Sequence, residues 1–241
     1  MKGVILGICP EAQVVDITHE IGPWQVAHGA WMLEQAWHCF PEGTIHIAVV
    51  DPGVGSVRRP IVAEAGGHLF VGPDNGVLSR VFDAVPPRTV RTVTAAEYFR
   101  HPVSRTFHGR DIFAPVAAHL ANDLEPEQLG PLAEDWVKLS LPVPVELENG
   151  VWQGEVLWVD RFGNLVTSFA AEAFGWVATE PFQLEMDGYC TTQYAQYYGA
   201  MKVGPCVIFG SAGYLEVSLN QQHAADLLGG RPGSSVVLRR V

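Results

Sequence analysis

Two short runs carry side chains that together can manage a proton and an anion: Asp51-Pro52-Gly53-Val54-Gly55-Ser56-Val57-Arg58 and Thr106-Phe107-His108-Gly109-Arg110-Asp111. They supply a carboxylate, a guanidinium and an imidazole on turns just past apolar strands, where α/β proteins usually put their chemistry. If the turns meet, Asp51 and His108 can accept or relay a proton from water while Arg58 favours the resulting anion. Such a site needs no metal. Each residue also has a plainer explanation. Asp51 can cap its turn by accepting backbone N–H bonds, Arg58 can be a surface arginine, and His108 can be an ordinary packed histidine. Their joint placement at strand ends sets the three apart.

Further along, Asp160-Arg161-Phe162-Gly163-Asn164 is a polar turn between two strands. It fits an Asx turn, and the Asn164 amide, with a donor and an acceptor side by side, also suits a purine edge. Gly210-Ser211-Ala212-Gly213-Tyr214-Leu215-Glu216 runs into a strand. Leu215, Val217 and Leu219 share one face, leaving Tyr214, Glu216 and Ser218 on the other. That polar, aromatic face suits a nucleoside pocket or simply water. The nine histidines show no H-E-x-x-H or other close ligand spacing, so no metal site is expected. There is no G-x-x-x-x-G-K-[ST] loop, and no serine sits in a G-x-S-x-G elbow.

The elements that must position these residues fall into two regimes. Over 1–140, helix and strand signals alternate. Residues 3–8 read as a helix end, Gln13 to Thr18 as a strand, Trp24 to Phe40 as a helix and Gly43 to Val50 as a strand ending at Asp51. Ile61 to Val71 reads as a hairpin around Gly66-Gly67, and Arg88–Val93 as a strand. Helices are expected at Gly76–Asp83, Ala95–Arg100 and Asp111–Asn122. The alternation predicts an α/β domain, a mainly parallel sheet with helices on both faces. Leu141-Pro142-Val143-Pro144-Val145 opens a stiff linker over 141–150. Short strands dominate 151–241, which predicts a small C-terminal β-barrel-like domain.

Composition narrows the partners. With 48% hydrophobic and 17% charged residues, the chain is ordered and well buried. Its net charge of −11 repels phosphate backbones and anionic lipid, disfavouring nucleic-acid and membrane roles while tolerating a cationic substrate. The four cysteines form no C-x-x-C pair, as expected for thiols in a reducing compartment. Apolar runs are strand-length, and no cleavage pattern follows Val4 to Cys9. A cytoplasmic protein is the expectation.

Five motifs in order then carry a resemblance: Asp51 to Gly55 with Arg58, Gly72-Pro73-Asp74-Asn75-Gly76, Thr106 to Asp111, Asp160 to Asn164, and Gly210 to Glu216. Over essentially its whole length the chain resembles the S-adenosylmethionine hydroxide adenosyltransferases, relatives of the fluorinase and chlorinase enzymes. The resemblance implies an N-terminal α/β domain, a C-terminal β-barrel-like domain and a homotrimer whose sites lie at subunit interfaces. It implies hydrolysis of S-adenosyl-L-methionine to adenosine and L-methionine, with no cofactor beyond that substrate. Asp51, Arg58 and His108 would form the water-activating triad. Trp24 would line the ribose and methionine region, and Phe107 would lie near the reacting carbon. Asp160 would meet the methionine ammonium, Phe162 the adenine ring and Asn164 its edge. Ser211 would lie at the amino-acid end, with Tyr214 and Glu216 also on the substrate. In the halide-using relatives tyrosines match Asp51 and His108, which places this chain on the hydrolytic side. Family members usually begin with a further strand and an acidic turn, whereas Met1 already lies inside the segment that follows it. That turn's carboxylate meets the ribose, and losing one such bond costs about 1.5–3 kcal/mol. A non-catalytic adenosine or S-adenosylmethionine binding protein is the alternative reading.

Overall fold

A computed structural model describes all residues, 1–241, and the chain divides into two compact units, Met1–Ser140 and Leu141–Val241. The first unit holds α1 (Lys2–Ile8), α2 (Val26–Ala36), β1 (Ile45–Ile47), β2 (Pro60–Ala65), β3 (His68–Pro73), α3 (Ser79–Ala84) and β4 (Thr89–Thr92). A π-helical turn over Gly109–Phe113 then feeds α4 (Ala114–Ala121).

The strands form one sheet in the order β1-β3-β2-β4. Only β1 and β3 run parallel; β2 is antiparallel to both β3 and β4. The expected mainly parallel sheet under layers of helices is therefore corrected to a small mixed sheet with few, short helices. The reason is local. Gly66 and Gly67 both take positive φ, at 56° and 79°, so the chain reverses at once and β2 pairs with β3 as a hairpin. A parallel neighbour would have needed a long crossover at that point. Both faces of the sheet are apolar. Ile61, Ala63, Ala65 and Phe70 pack with Leu33, Val77 and Val81, while Val62 and Val71 pack with Ile112, Phe113 and Val116.

Three further expectations change. Gln13 to Thr18 joins no sheet, and Val14, Val15 and Ile17 stay exposed. Its β-branched residues favour extension, but a strand also needs a hydrogen-bonded neighbour. Gly43 to Val50 contracts to β1, and Ala95–Arg100 is one 3₁₀ turn at Ala96–Tyr98.

The second unit holds β5 (Val145–Glu148), β6 (Val151–Val159), β7 (Leu165–Ala170), α5 (Ala171–Phe174), β8 (Phe182–Met186), β9 (Tyr189–Thr191), β10 (Cys206–Phe209), β11 (Tyr214–Ser218), α6 (Ala224–Leu228) and β12 (Ser235–Arg240). Its eight strands run in the order β10-β11-β7-β6-β12-β8-β9, with β5 on β6, and every pair is antiparallel. Beyond β9, Ala195 N donates to the Val207 carbonyl and Val207 N to the Gln193 carbonyl, both at 2.9 Å. These bonds bring the chain back to β10 and nearly close the sheet into a barrel. Its core is filled by Leu165, Phe169, Leu184, Leu215, Val236 and Leu238. Strand β5 falls where a linker was expected. No helix of the chain is long and apolar enough to cross a membrane.

Candidate functional site

The chain leaves the end of β1 through Val50, turns at Asp51 and rejoins the sheet at β2, so the intervening loop is tethered at both ends. Gly55 sits at φ 77°, and a Cβ there would lie 2.1 Å from the Arg105 carbonyl oxygen. Only glycine lets this loop rest against the segment that leads to His108.

That contact brings the three residues together. Arg58 Nε donates to Asp51 Oδ1 at 2.9 Å and to Oδ2 at 3.0 Å, and Arg58 Nη2 also bonds Asp51 Oδ2. The same Nη2 donates to His108 Nδ1 at 2.7 Å. The Arg58 and Asp51 side chains are only 9% and 5% exposed, so this is a buried ion pair screened little by water. Arg58 stacks its guanidinium 5.3 Å from the Phe113 ring, and its Nη1 is buried without a hydrogen-bond partner.

This geometry fixes the histidine's tautomer. A guanidinium always donates, so Nδ1 must accept, and the proton of the neutral ring sits on Nε2. Burial, and then the Arg58 charge, hold His108 below the ordinary histidine pKa, against the opposing pull of Asp51 and Asp111. Neutral His108 is thus a donor through Nε2. The proton-accepting role expected of it has no free ring nitrogen in this arrangement.

The loop carrying His108 is pinned by Asp111, whose side chain is wholly buried. It accepts from Arg110 Nε at 2.7 Å and Nη2 at 2.8 Å, from Arg100 Nη1 at 3.1 Å and from Ser104 N at 2.9 Å. Arg110 first among these holds the carboxyl far below its usual range. Arg110 also lies 4.8 Å from the Phe107 ring, and that ring remains 45% exposed. The sequence gives Asp111 no role beyond closing its motif, and its adjacency to Arg110 is the available signal.

Beside Asp51 the first unit has a cleft of about 420 Å³, lined by Ile17, Thr18, Trp24, Met32, Val50 and Asp51 among others. Trp24 reaches it from a left-handed backbone, φ 65°, and is 79% exposed. A bulky residue held in that region is strained, a condition that gathers at ligand sites.

The other expected residues lie in the second unit. Asp160 Oδ1 accepts from Phe162 N and Asn164 N, and its Oδ2 from Asn164 Nδ2, all at 2.8 Å. The Asx-turn role is therefore real, and it leaves Phe162 77% exposed on the turn while Asn164 is buried. Gly163, at φ 84°, faces His223 so closely that a Cβ would sit 2.2 Å from the ring. Glu216, buried on β11, accepts from Tyr198 Oη at 2.8 Å. Burial foremost, and the charge of Asp160, push its carboxyl upward, while the Tyr198 bond opposes them. Ser211 is exposed on the turn before β11, and Tyr214 lies edge-on to Trp158, ring centroids 6.2 Å apart. Tyr198 was missed, because it sits in an irregular stretch whose only signal is the clustering of Tyr194, Tyr197 and Tyr198. No group of three or more His, Cys, Asp or Glu side chains is arranged to hold a metal ion.

Comparisons with known proteins cover both units. Residues 1–130 match the family described as SAM hydroxide adenosyltransferase N-terminal domain, and residues 154–237 its C-terminal domain. A Thermus thermophilus protein named (R)-S-adenosyl-L-methionine hydrolase is 37% identical over 245 residues, 99% of this chain and 92% of its own. A Salinispora tropica protein of the same name is 38% identical, covering 96% of this chain and 88% of its own. A fluorinase from an Actinoplanes species is 26% identical over 91% of this chain and 85% of its own. The crystal structure of an uncharacterized conserved protein from Thermotoga maritima superposes with a TM-score of 0.89 at 35% identity, covering 99% of this chain and 93% of that one.

Proposed function

The chain belongs to the SAM hydroxide adenosyltransferase family, and from that premise we propose that it hydrolyses S-adenosyl-L-methionine to adenosine and L-methionine. Relatives at 31–38% identity are named for the (R) form of this sulfonium, which is the proposed substrate. A water oxygen attacks C5′, the C5′–S bond breaks, and its electron pair returns to sulfur as a neutral thioether. One water proton is released. The difficulty lies in the nucleophile, since hydroxide at pH 7 is roughly 12 kcal/mol uphill from water of pKa near 15.7.

The observation that carries this reading is the buried, charge-balanced contact of Asp51, Arg58 and His108 beside a cleft that Asp51 lines. Arg58 stabilises negative charge growing on the water oxygen. His108 contributes a second donor from Nε2. Asp51 takes the proton, because a carboxylate keeps lone pairs beyond those given to Arg58. As oxygen and sulfonium approach, opposite charges cancel, so a dry site favours the reaction. Trp24 and Phe107 flank the ribose and reacting carbon. Asp160 and Glu216 provide the negative field for the ammonium and sulfonium, Asn164 and Phe162 take the adenine, and Ser211 and Tyr214 complete the amino-acid end. No metal or cofactor takes part. The working form is a soluble, cytoplasmic homotrimer with sites at subunit interfaces.

A purified sample incubated with S-adenosyl-L-methionine and chelator should release adenosine and methionine in equal amounts on chromatography. Substrate binding without adenosine would instead support the non-catalytic alternative.

A further inference from the structure

The loop that carries Asp51 and Arg58 leaves the sheet after Val50 and returns at Arg59, so whatever grips those two flanking residues sets the distance between its ends. One dipeptide in the turn after β3 grips both. Asn75 Nδ2 donates to the Val50 carbonyl at 2.8 Å, and Asn75 Oδ1 accepts from Val77 N at 3.1 Å. Asp74 N donates to the Arg59 carbonyl at 2.8 Å, and Asp74 Oδ2 accepts from Arg59 Nε at 3.0 Å and Nη2 at 2.6 Å. Asp74 is buried, and its other oxygen accepts from Val137 N at 2.8 Å. Arg59 is also tied to Asp135 Oδ1 at 2.8 Å. The turn itself is tightly determined, because Gly76 sits at φ 92° with Leu139 packed against it.

We infer that Asp74 and Asn75 are positioning residues for the Asp51–Arg58 loop. Asn75, through the Val50 carbonyl, and Asp74, through Arg59, hold the loop's ends so that Arg58 reaches Asp51 and His108 together. Both residues act through a backbone neighbour of the triad. The amide is specific at position 75: its donor grips Val50 while its acceptor grips the helix-proximal backbone, and aspartate would keep only the second bond. The kinetic consequence rests on the proposed hydrolysis; the structural consequence rests on the hydrogen bonds alone.

The test uses full-length protein bearing Asn75→Ala or Asn75→Asp, read by steady-state kinetics and by NMR titration of the His108 ring. Displacing a catalytic group by a fraction of an ångström to an ångström should lower kcat about ten- to a hundred-fold, with KM within about three-fold because the cleft contacts remain. In Asn75→Ala, His108 should titrate closer to an ordinary histidine as Arg58 withdraws, without any new charge to confuse the shift. Asn75→Asp, which keeps the Val77 bond, should lose kcat to a similar extent. Parent-like kcat and an unmoved His108 titration in both variants would overturn the inference. If the parent releases no adenosine, the proposed reaction fails, and the His108 titration still decides whether the dipeptide positions the loop. Should Asn75→Ala not fold, Asn75→Asp supplies the kinetic arm and Asp74→Asn the titration arm, with the same outcomes.

Discussion

The two units treat their carboxylates in opposite ways. In the first, Asp51 is clasped by a buried guanidinium, and Asp111 by two more arginines. In the second, Asp160 is held by amides of its own turn, and Glu216 by a tyrosine hydroxyl. The first arrangement cancels charge and fixes geometry, which suits a place where negative charge must grow briefly on one atom. The second holds its acids through neutral donors, and burial raises Glu216. That suits holding a cation that arrives already charged. The proposed chemistry thus falls to the first half of the chain, and the proposed recognition of the substrate's positive charge to the second.

Substitutions that separate kcat from KM test this division. Asp51→Asn should cut kcat about a thousand-fold, the middle of what a positioned proton acceptor contributes, while substrate still binds; single-turnover adenosine release is the assay. Asp160→Asn should instead raise KM about ten- to a hundred-fold, the worth of one charged hydrogen bond, with kcat nearly kept. If both variants lose mainly kcat, the division is wrong.

Stability should split along the same line. Asp51→Asn strands Arg58 without its counter-charge in a buried setting, so melting temperature should fall. Glu216→Gln should raise it by a few degrees at pH 7. The sign follows from linkage: a carboxyl raised in the folded state is favourable when protonated, and that benefit is lost as pH rises through its folded value. The gain from Gln should therefore shrink towards pH 4.5, the ordinary glutamate value. Melting curves at both pH values check it.

The smallest effect concerns the acid limb of activity. His108 is held below 6.5 by burial and by Arg58. Protonating it sets a second cation against Arg58, so kcat/KM should hold through pH 6.5 on acidification and decline only below it. A limb centred at or above 6.5 would mean that the Arg58–His108 contact does not persist in solution.

Much of the site was legible because its turns are written in glycine and proline. Gly55 and Gly163 mark places where backbone approaches something closely, and the residues beside them are the ones that gathered. The sheet was less legible. The Gly66-Gly67 hairpin was legible, but the alternating helix and strand signals around it suit a parallel array and say nothing of which strands become neighbours, so the antiparallel pairing of β4 with β2 was not. Gln13 to Thr18 shows the same gap, since propensity does not supply a hydrogen-bonding partner. The scattered histidines concealed one pair: His46 and His68, outside every motif, approach to 3.3 Å between Nε2 and Nδ1 across β1 and β3. Burial, then His68, holds His46 down at about 4. Tyr198 was hard to find because it sits in an irregular stretch eighteen residues before its partner Glu216 on β11, and no period links them.

The proposed reaction joins a water oxygen to C5′ under the control of Asp51, Arg58 and His108. Hydrolysis run in heavy-oxygen water, with mass spectrometry of both products, reads that bond directly. One labelled oxygen in the adenosine, none gained by methionine, and near-complete loss of labelled product in Asp51→Asn are the predicted results. Label in methionine, or labelled adenosine formed equally fast without the Asp51 carboxylate, would contradict it.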